Sequence, residues 1–258
     1  MICKMSTADF RFYEELNDFL PRQYKKVCFE YCFNGCRSIK DMIEAIGVPH
    51  TEIDLILVNG KSVDFSYLVA DGDHISVYPV FESIDISPLV RLRPQPLRSI
   101  RFILDLHLGK LARYLRLLGF DTYYNNNLDD ASLAQRSADE QRILLTRDCG
   151  LLKRRIVTHG FYIRQIEPSL QVREVITRLD LFNSLQPFSR CLKCNGILKT
   201  VGKHEIVQAL EPNTSRYFDH FRRCKMCGHI YWRGGHYERM LKFIQKIERA
   251  NSTQAQMH

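Results

Sequence analysis

The sequence predicts an α/β protein that consists of a small front module, a central parallel-sheet module and a cysteine-rich end module. Three observations support this class. The order strand, strand, helix, strand, strand fits the residues before 82, strands and helices alternate from residue 101, and two Cys-x-x-Cys pairs follow residue 190. The 258 residues exceed one average domain of about 100–200 residues. An apolar fraction of 45% and a charged fraction of 26% are typical of folded chains and exclude a disordered or fibrous protein.

The front module is predicted over residues 8–82. Apolar residues occupy every second position from Val27 to Phe33, which is the pattern of a half-buried strand. Ser38 is a candidate cap for a short helix that Gly47 ends. Asn59-Gly60 predicts a hairpin turn, and a last strand is expected near residues 75–80.

The order of these elements resembles the ubiquitin-like β-grasp fold, and specifically its small sulfur carriers. Such carriers end in a free Gly-Gly whose carboxylate is activated. Val80, Phe81 and Glu82 occupy that place here and the chain continues, so sulfur transfer is not expected. The remaining interpretation is that the module docks on a protein partner or presents RNA.

The central module is predicted over residues 100–188, after a proline-containing linker over residues 83–99. The helix after its first strand is expected to end at Gly119. The alternation of strands and helices predicts a parallel sheet that is covered by helices on both faces, an α/β/α arrangement. The expected strands are Phe102–Leu104, Thr122–Tyr124, Arg142–Thr146 and Phe161–Ile166.

Four aspartates are expected at the edge of this sheet where open α/β proteins place their functional crevice. Asp105 and Asp148 follow predicted strands, and Asp129 and Asp130 lie in the loop after the second strand. Clustered carboxylates repel one another unless a cation is bound, so their convergence indicates Mg²⁺ or Mn²⁺. Such an ion activates water and stabilises a phosphoryl displacement, which is nuclease chemistry. The alternative for each aspartate alone is a role as N-cap of the following helix.

Three cations near that edge are candidate phosphate ligands. Lys110 and Arg113 are three residues apart on the polar side of the first helix, near its positive end. Arg147 directly precedes Asp148. The alternatives are a solvated helix face for Lys110 and Arg113, and an ion pair with a carboxylate for Arg147.

The end module, a zinc ribbon with a C-terminal helix, is predicted over residues 189–250. Cys191 with Cys194, and Cys224 with Cys227, form two Cys-x-x-Cys pairs that are separated by 29 residues. Two such pairs supply the four sulfurs of a tetrahedral zinc site. A closed four-sulfur site has no open position for water, so a structural zinc ion is predicted, with a redox or non-zinc role as the alternative.

Positive charge increases toward the end of the chain. The net charge is −4 over residues 1–97, +4 over residues 98–188 and +8 over residues 189–258, which suits binding to a polyanion or, alternatively, a solubilising surface. Arg222, Arg223 and Trp232 are candidate RNA contacts, because basic groups neutralise phosphates and aromatic faces stack on unpaired bases. The alternative is that the aromatic residues form the small core around the zinc site.

Several runs of residues together carry a family resemblance. They are Phe102 to Asp105, Leu108 to Arg116, Leu118-Gly119, Asp121 and Ile143 to Asp148 in the central module, and Ser189 to Cys191, Cys194-Asn195, Cys224, Cys227, Tyr231-Trp232 and His236 in the end module. With these residues the chain resembles the Mut-seven C-terminal RNase family, which joins a PIN-type nuclease domain to a zinc ribbon and often carries a β-grasp module in front. The resemblance implies that Asp105 and Asp148 are metal ligands, and that Asp129 or Asp130 is a third.

The sequence therefore predicts a divalent-metal-dependent ribonuclease that cleaves single-stranded RNA internally. The alternative is a non-catalytic RNA-binding adaptor that recruits a partner protein through the β-grasp module. DNA also stays open as a substrate, because nothing in the sequence recognises a 2′-hydroxyl. The chain has neither a run of about 18 apolar residues nor a secretory signal, so a soluble, cytoplasmic protein without a membrane partner is expected.

Overall fold

The computed structural model describes residues 5–79, 92 and 100–254. They form two compact units: the described residues before Ile100 together with Leu128–Tyr162, and Ile100–Asn127 together with the described residues from Ile163 onward. The predicted linker, apart from Leu92, and the predicted module end at 80–82 lie outside the described residues. Within the described ranges, no helix is long and apolar enough to cross a membrane. The three predicted module boundaries stay predictions.

The front of the chain forms a five-stranded mixed sheet with the order β2-β1-β5-β3-β4. Strands β1 and β5 pair in parallel, and the other neighbours are antiparallel. This topology confirms the predicted α+β module. Its elements are β1 (Ser6–Phe12), β2 (Phe29–Phe33), α1 (Ile39–Ile46), β3 (Ile53–Val58), β4 (Lys61–Ser62) and β5 (His74–Pro79).

Local sequence signals account for the turns of this sheet. The Ser38 hydroxyl accepts a hydrogen bond from the backbone N–H of Asp41 at 3.1 Å, which is the predicted N-cap of α1. Gly47 ends α1 with a φ of 136°, where a Cβ would lie 2.9 Å from a backbone oxygen. Asn59 and Gly60 have φ values of 50° and 80°, as a tight hairpin turn requires. Each of these three signals predicts its element because it acts over a few residues.

The middle of the chain alternates strands and helices. β6 pairs in parallel with β7, and β8 pairs in parallel with β9. The predicted fourth strand is shorter than expected and ends at Tyr162, because the backbone N–H groups of Arg164 and Gln165 donate to the Glu174 carboxylate at 2.9 and 3.0 Å. The elements are β6 (Arg101–Leu104), α2 (Gly109–Leu117), β7 (Asp121–Tyr124), α3 (Asp130–Asp139), β8 (Ile143–Thr146), α4 (Cys149–Leu152), β9 (Gly160–Tyr162) and α5 (Pro168–Arg178).

The end of the chain forms a three-stranded antiparallel sheet with the order β10-β11-β12. The 29 residues between the two cysteine pairs hold a strand, two short α-helices, a 3₁₀ helix and most of a second strand, which explains their length. The elements are β10 (Leu198–Val201), α6 (Lys203–Ile206), α7 (Pro212–Tyr217), β11 (Phe221–Cys224), β12 (Ile230–Trp232) and α8 (Gly235–Gln254).

Within the first compact unit, the front module is hydrogen-bonded to strand β9 and its neighbourhood. Glu52 is fully buried, and its Oε1 accepts a hydrogen bond from the backbone N–H of Tyr162 at 2.7 Å. The His50 Nε2 lies 2.9 Å from the carbonyl oxygen of Val157. Lys153 donates from Nζ to a backbone carbonyl of α1 at 2.8 Å. The front module therefore uses His50 and Glu52 to hold another part of its own chain.

Loss of the Glu52 carboxylate should destabilise the chain. In Glu52→Ala the backbone N–H of Tyr162 loses its acceptor away from water, which costs about 1–3 kcal/mol. The measurement is the urea midpoint of the full chain, with Glu52→Gln as the conservative variant and Glu30→Ala, an exposed glutamate of β2, as the control. Equal midpoints for Glu52→Ala and Glu30→Ala would contradict a structural role of this contact.

Candidate functional site

Four cysteine sulfurs come together in the second compact unit. The Sγ atoms of Cys191, Cys194, Cys224 and Cys227 all lie within 4.8 Å of one another. The Cys191–Cys227 and Cys194–Cys224 sulfur distances are 3.6 and 3.4 Å. Disulfide sulfurs lie about 2.0 Å apart, whereas sulfurs on a tetrahedral zinc ion with Zn–S bonds of about 2.3 Å lie about 3.8 Å apart. The cluster therefore has the donor set and spacing of a structural metal site.

Each Cys-x-x-Cys pair forms a tight turn, or knuckle, the first over residues 191–196 and the second over residues 224–229, and the two have the same backbone hydrogen bonds. The carbonyl of Cys191 accepts from the N–H of Asn195 at 2.9 Å, and the carbonyl of Cys224 accepts from Gly228 at 3.1 Å. Asn195 and Gly228 have φ values of 70° and 72°, a conformation that asparagine and glycine adopt most readily. Gly196 is buried, and a Cβ there would lie 2.8 Å from the Cys224 sulfur. The small residues after each cysteine pair are thus needed for the turn.

The environment of the cluster affects the two thiols of the first knuckle differently. Burial raises the pKa of Cys191, but hydrogen bonds from the Tyr231 hydroxyl and from nearby backbone N–H groups outweigh it and lower the pKa to about 7. Burial and the neighbouring thiols raise the pKa of Cys194 to about 12. Four adjacent thiols therefore do not all ionise readily by themselves, and a divalent cation is the group that favours four thiolates.

The first knuckle is fastened to strand β7 by Arg116, a residue that the sequence analysis did not single out as functional. The Arg116 side chain is 6% exposed, and its Nε donates to the carbonyl of Thr122 at 3.0 Å. One terminal nitrogen donates to the carbonyls of Leu192 and Lys193 at 3.2 and 3.1 Å. Burial lowers the pKa of Arg116, and the cysteines beside it act in the opposite direction.

Asn195 and Arg190 add a second connection between the knuckle and β7. The Asn195 side chain accepts from the N–H of Thr122 at 3.0 Å and donates to Asp121 at 2.9 Å. Arg190 donates from Nε to the carbonyl of Gly119 at 3.1 Å and lies 3.4 Å from the Asp121 carboxylate. These contacts join residues about 70 positions apart, so no local sequence pattern could indicate them.

Three of the four predicted catalytic aspartates cap a helix. The carboxylate of Asp105 accepts from the backbone N–H of the next residue, at the start of a short 3₁₀ helix after β6. Asp129 accepts from Ser132 at 2.7 Å to begin α3, and this hydrogen bond lowers its pKa. Asp148 caps α4 in the same way at 2.7 Å. Asp130 is the exposed first residue of α3.

A hydrogen bond to Thr146 also determines the position of Asp148. Thr146 is fully buried at the end of β8, and its Oγ1 accepts from the backbone N–H of Asp148 at 2.9 Å. The Thr-x-Asp sequence therefore has a local structural reason: the hydroxyl directs the chain out of the strand and leaves the Asp148 side chain exposed.

The four cysteines are the one group of three or more His, Cys, Asp and Glu side chains with converging ligand atoms in the part of the chain that the structure describes. The predicted cluster of aspartates stays a prediction. Lys110 and Arg113 are exposed on α2, and Arg147 is half-buried.

The predicted RNA contacts of the end module lie on neighbouring strands. Arg222 and Arg223 are exposed on β11, and Trp232 at the end of β12 is 41% exposed. One Arg222 nitrogen donates to the carbonyl of Phe188 at 2.6 Å. The Trp232 ring is tilted toward Phe218, with the ring centroids 6.4 Å apart.

Comparison with known proteins gives two family matches. Residues 100–244 match the family model described as the Mut7-C RNAse domain, and residues 5–85 match the model described as Mut7-C ubiquitin. Searches of curated proteins and of solved structures find no match.

Proposed function

Because the chain belongs to the Mut7-C RNAse domain family, we propose that it is a divalent-metal-dependent ribonuclease that cleaves single-stranded RNA internally. The observation that carries the proposal is the family match over residues 100–244, which includes Asp105 and Asp148 at the ends of parallel-paired strands. In parallel α/β sheets the residues that follow the strands form the functional crevice.

The aspartates are proposed to hold the catalytic metal. Asp105, Asp148 and one of Asp129 or Asp130 would be its ligands. Bound Mg²⁺ or Mn²⁺ would supply an activated water and positive charge for displacement at phosphorus. The hydrogen bonds from Leu106 and Gly150 to the two strand-end carboxylates fix the direction of those side chains. Helix capping and metal binding are therefore compatible, because a carboxylate has two oxygens and about four acceptor positions.

The cations are proposed to bind the RNA backbone. Lys110, Arg113 and Arg147 would contact the phosphate at the aspartates, and Arg222, Arg223 and Trp232 would hold a more distant part of the strand. The excess of positive charge over residues 189–258 supports this division, since each neutralised phosphate releases counterions. Lys110 and Arg113 are exposed and so available to a ligand.

The proposal also includes the cellular compartment of the protein and the surface that a protein partner could use. Four reduced cysteines persist in a reducing compartment, and this supports a cytoplasmic location of the protein. A protein partner of the ubiquitin-like module would have to use a surface other than that of His50 and Glu52, because these residues contact Val157 and Tyr162 of the same chain.

A metal-dependence assay tests the proposal. Purified full-length chain with its cysteine site loaded with zinc is incubated with labelled single-stranded RNA, and with single-stranded DNA of the same sequence. Cleavage of the RNA is expected only after Mg²⁺ or Mn²⁺ is added, in buffer cleared of divalent ions by a resin so that zinc is retained. Three of the aspartates cap helices, and this structural role favours the non-catalytic adaptor as the competing hypothesis. RNA binding without cleavage under any metal would support the non-catalytic adaptor instead.

A further inference from the structure

A cavity of about 200 Å³ lies in the second compact unit, beside the sulfur cluster. One side is formed by the sheet of the end module, and the other sides by the end of α2, the segment before the first knuckle and the start of α8. The lining residues that matter for its chemistry are Phe188, Arg222, Tyr231, Trp232, Arg233 and Tyr237.

The cavity wall is aromatic and cationic. It includes five aromatic residues, three arginines and one histidine, and none of the described residues that line it is Asp or Glu. Arg233 lies over the ring of Tyr237, with its guanidinium carbon 5.7 Å from the ring centroid. An aromatic wall with a cationic rim fits a flat ring that is attached to a negative charge.

The backbone of Phe188 is a second, independent observation that indicates a ligand-binding site. Its φ of 60° is an outlier for a bulky side chain, and such strain occurs most often at ligand-binding and functional sites. Two hydrogen bonds hold it: its N–H donates to the carbonyl of Leu117 at 2.9 Å, and its carbonyl accepts from Arg222 at 2.6 Å. The strained backbone places the Phe188 ring against Tyr237, with the centroids 4.5 Å apart.

The size of the cavity limits the ligand. Pockets for drug-sized molecules measure about 300–1,000 Å³, and this one is smaller. It has room for a single flat heterocycle with its substituent outside. Trp232 lines the cavity and is 41% exposed, so its ring is accessible for stacking on such a ring.

We propose that this cavity binds one unpaired nucleobase of an RNA strand, with the adjoining phosphate on Arg222 and Arg233. The proposal rests on the proposed function in its choice of RNA as the ligand. The proposal goes beyond that function by assigning to the zinc module a base-binding pocket, which is formed by residues other than the aspartates that would bind the catalytic metal. The pocket would hold the strand through stacking, so it accepts any base that is not paired.

The fluorescence of Trp232 tests the proposal directly, because Trp232 is the one tryptophan of the chain. The probe is an oligoadenylate of about eight nucleotides, within the usual span of single-strand sites. It is titrated into the full chain carrying Asp105→Asn and Asp148→Asn, so that cleavage cannot interfere. We expect saturable quenching by the oligoadenylate and none by a strand of the same length whose bases are removed.

Matched variants separate the pocket from general RNA binding. Trp232→Ala and Arg222→Ala should each weaken binding of an end-labelled oligoadenylate about tenfold or more, as loss of base stacking does elsewhere. Tyr217→Ala, an exposed aromatic residue outside the cavity, should bind as the parent chain does. The pocket would be refuted, and the ribonuclease proposal left intact, by two results together: Trp232→Ala binds the oligoadenylate as the parent chain does, and the oligoadenylate does not quench Trp232 in the chain that retains it. If the oligoadenylate quenches Trp232 but the chain with both aspartates intact cuts no RNA under any metal, the ribonuclease proposal is refuted and the pocket is kept.

Discussion

Replacing Asp105 and Asp148 by asparagine should abolish RNA cleavage and leave the fold and RNA binding unchanged. Asparagine keeps an oxygen that can accept the N–H groups of Leu106 and Gly150, so both helix starts are preserved. It removes the negative charge that a hard cation requires. Loss of a residue that only supports a metal ligand costs about 10–100-fold, so loss of a direct ligand should cost more than about 100-fold.

The measurement is the single-turnover cleavage rate with saturating Mn²⁺, next to the thermal midpoint of each variant. Asp139→Asn is the matched control, since Asp139 is exposed at the end of α3 and its carboxylate accepts a hydrogen bond from Gln135 of the same helix. Asp129→Asn and Asp130→Asn, tested separately, decide which of the two is a ligand. A double variant of Asp105 and Asp148 that cuts RNA at the parent rate would reduce these aspartates to helix caps.

The elements that the sequence predicted correctly depend on short-range chemistry. Ser38 caps α1, Asn59-Gly60 forms the hairpin turn, and the cysteine pairs converge, because each signal acts within a few residues or through one ligand geometry. The topology of the front sheet followed from the order of such elements. The family resemblance was correct for the same reason, since it rested on runs of adjacent residues.

What the sequence did not predict depends on contacts between distant residues. Glu52 would ordinarily be exposed, yet it is fully buried because Tyr162 offers it a backbone N–H. Arg116 lies among apolar helix residues and gives no sign that it bonds the first knuckle. The early end of β9 depends on Glu174, which takes the backbone N–H groups that would have continued the strand.

Loss of a metal ion from the four cysteines should unfold the end module and loosen strand β7. Zinc binding contributes about 10–16 kcal/mol in zinc-finger peptides, which is comparable with the free energy of unfolding of a whole domain, about 5–15 kcal/mol. Without that contribution the first knuckle opens, and the buried Arg116 guanidinium loses the carbonyls of Leu192 and Lys193. A buried charge without its partners is strongly destabilising, so the effect should pass through Arg116 to Thr122 on β7.

Cys224→Ser tests this coupling, with Cys28→Ser, an exposed cysteine of the front module, as the matched control. Metal analysis should give one zinc per chain in the control and much less in Cys224→Ser. Hydrogen exchange over residues 121–124 should become faster in Cys224→Ser, because Asn195 no longer binds Thr122 and Asp121. Full zinc content in Cys224→Ser would refute the four-cysteine site. Lost zinc with unchanged exchange at β7 would mean that the knuckle folds independently of the strand that Arg116 joins to it.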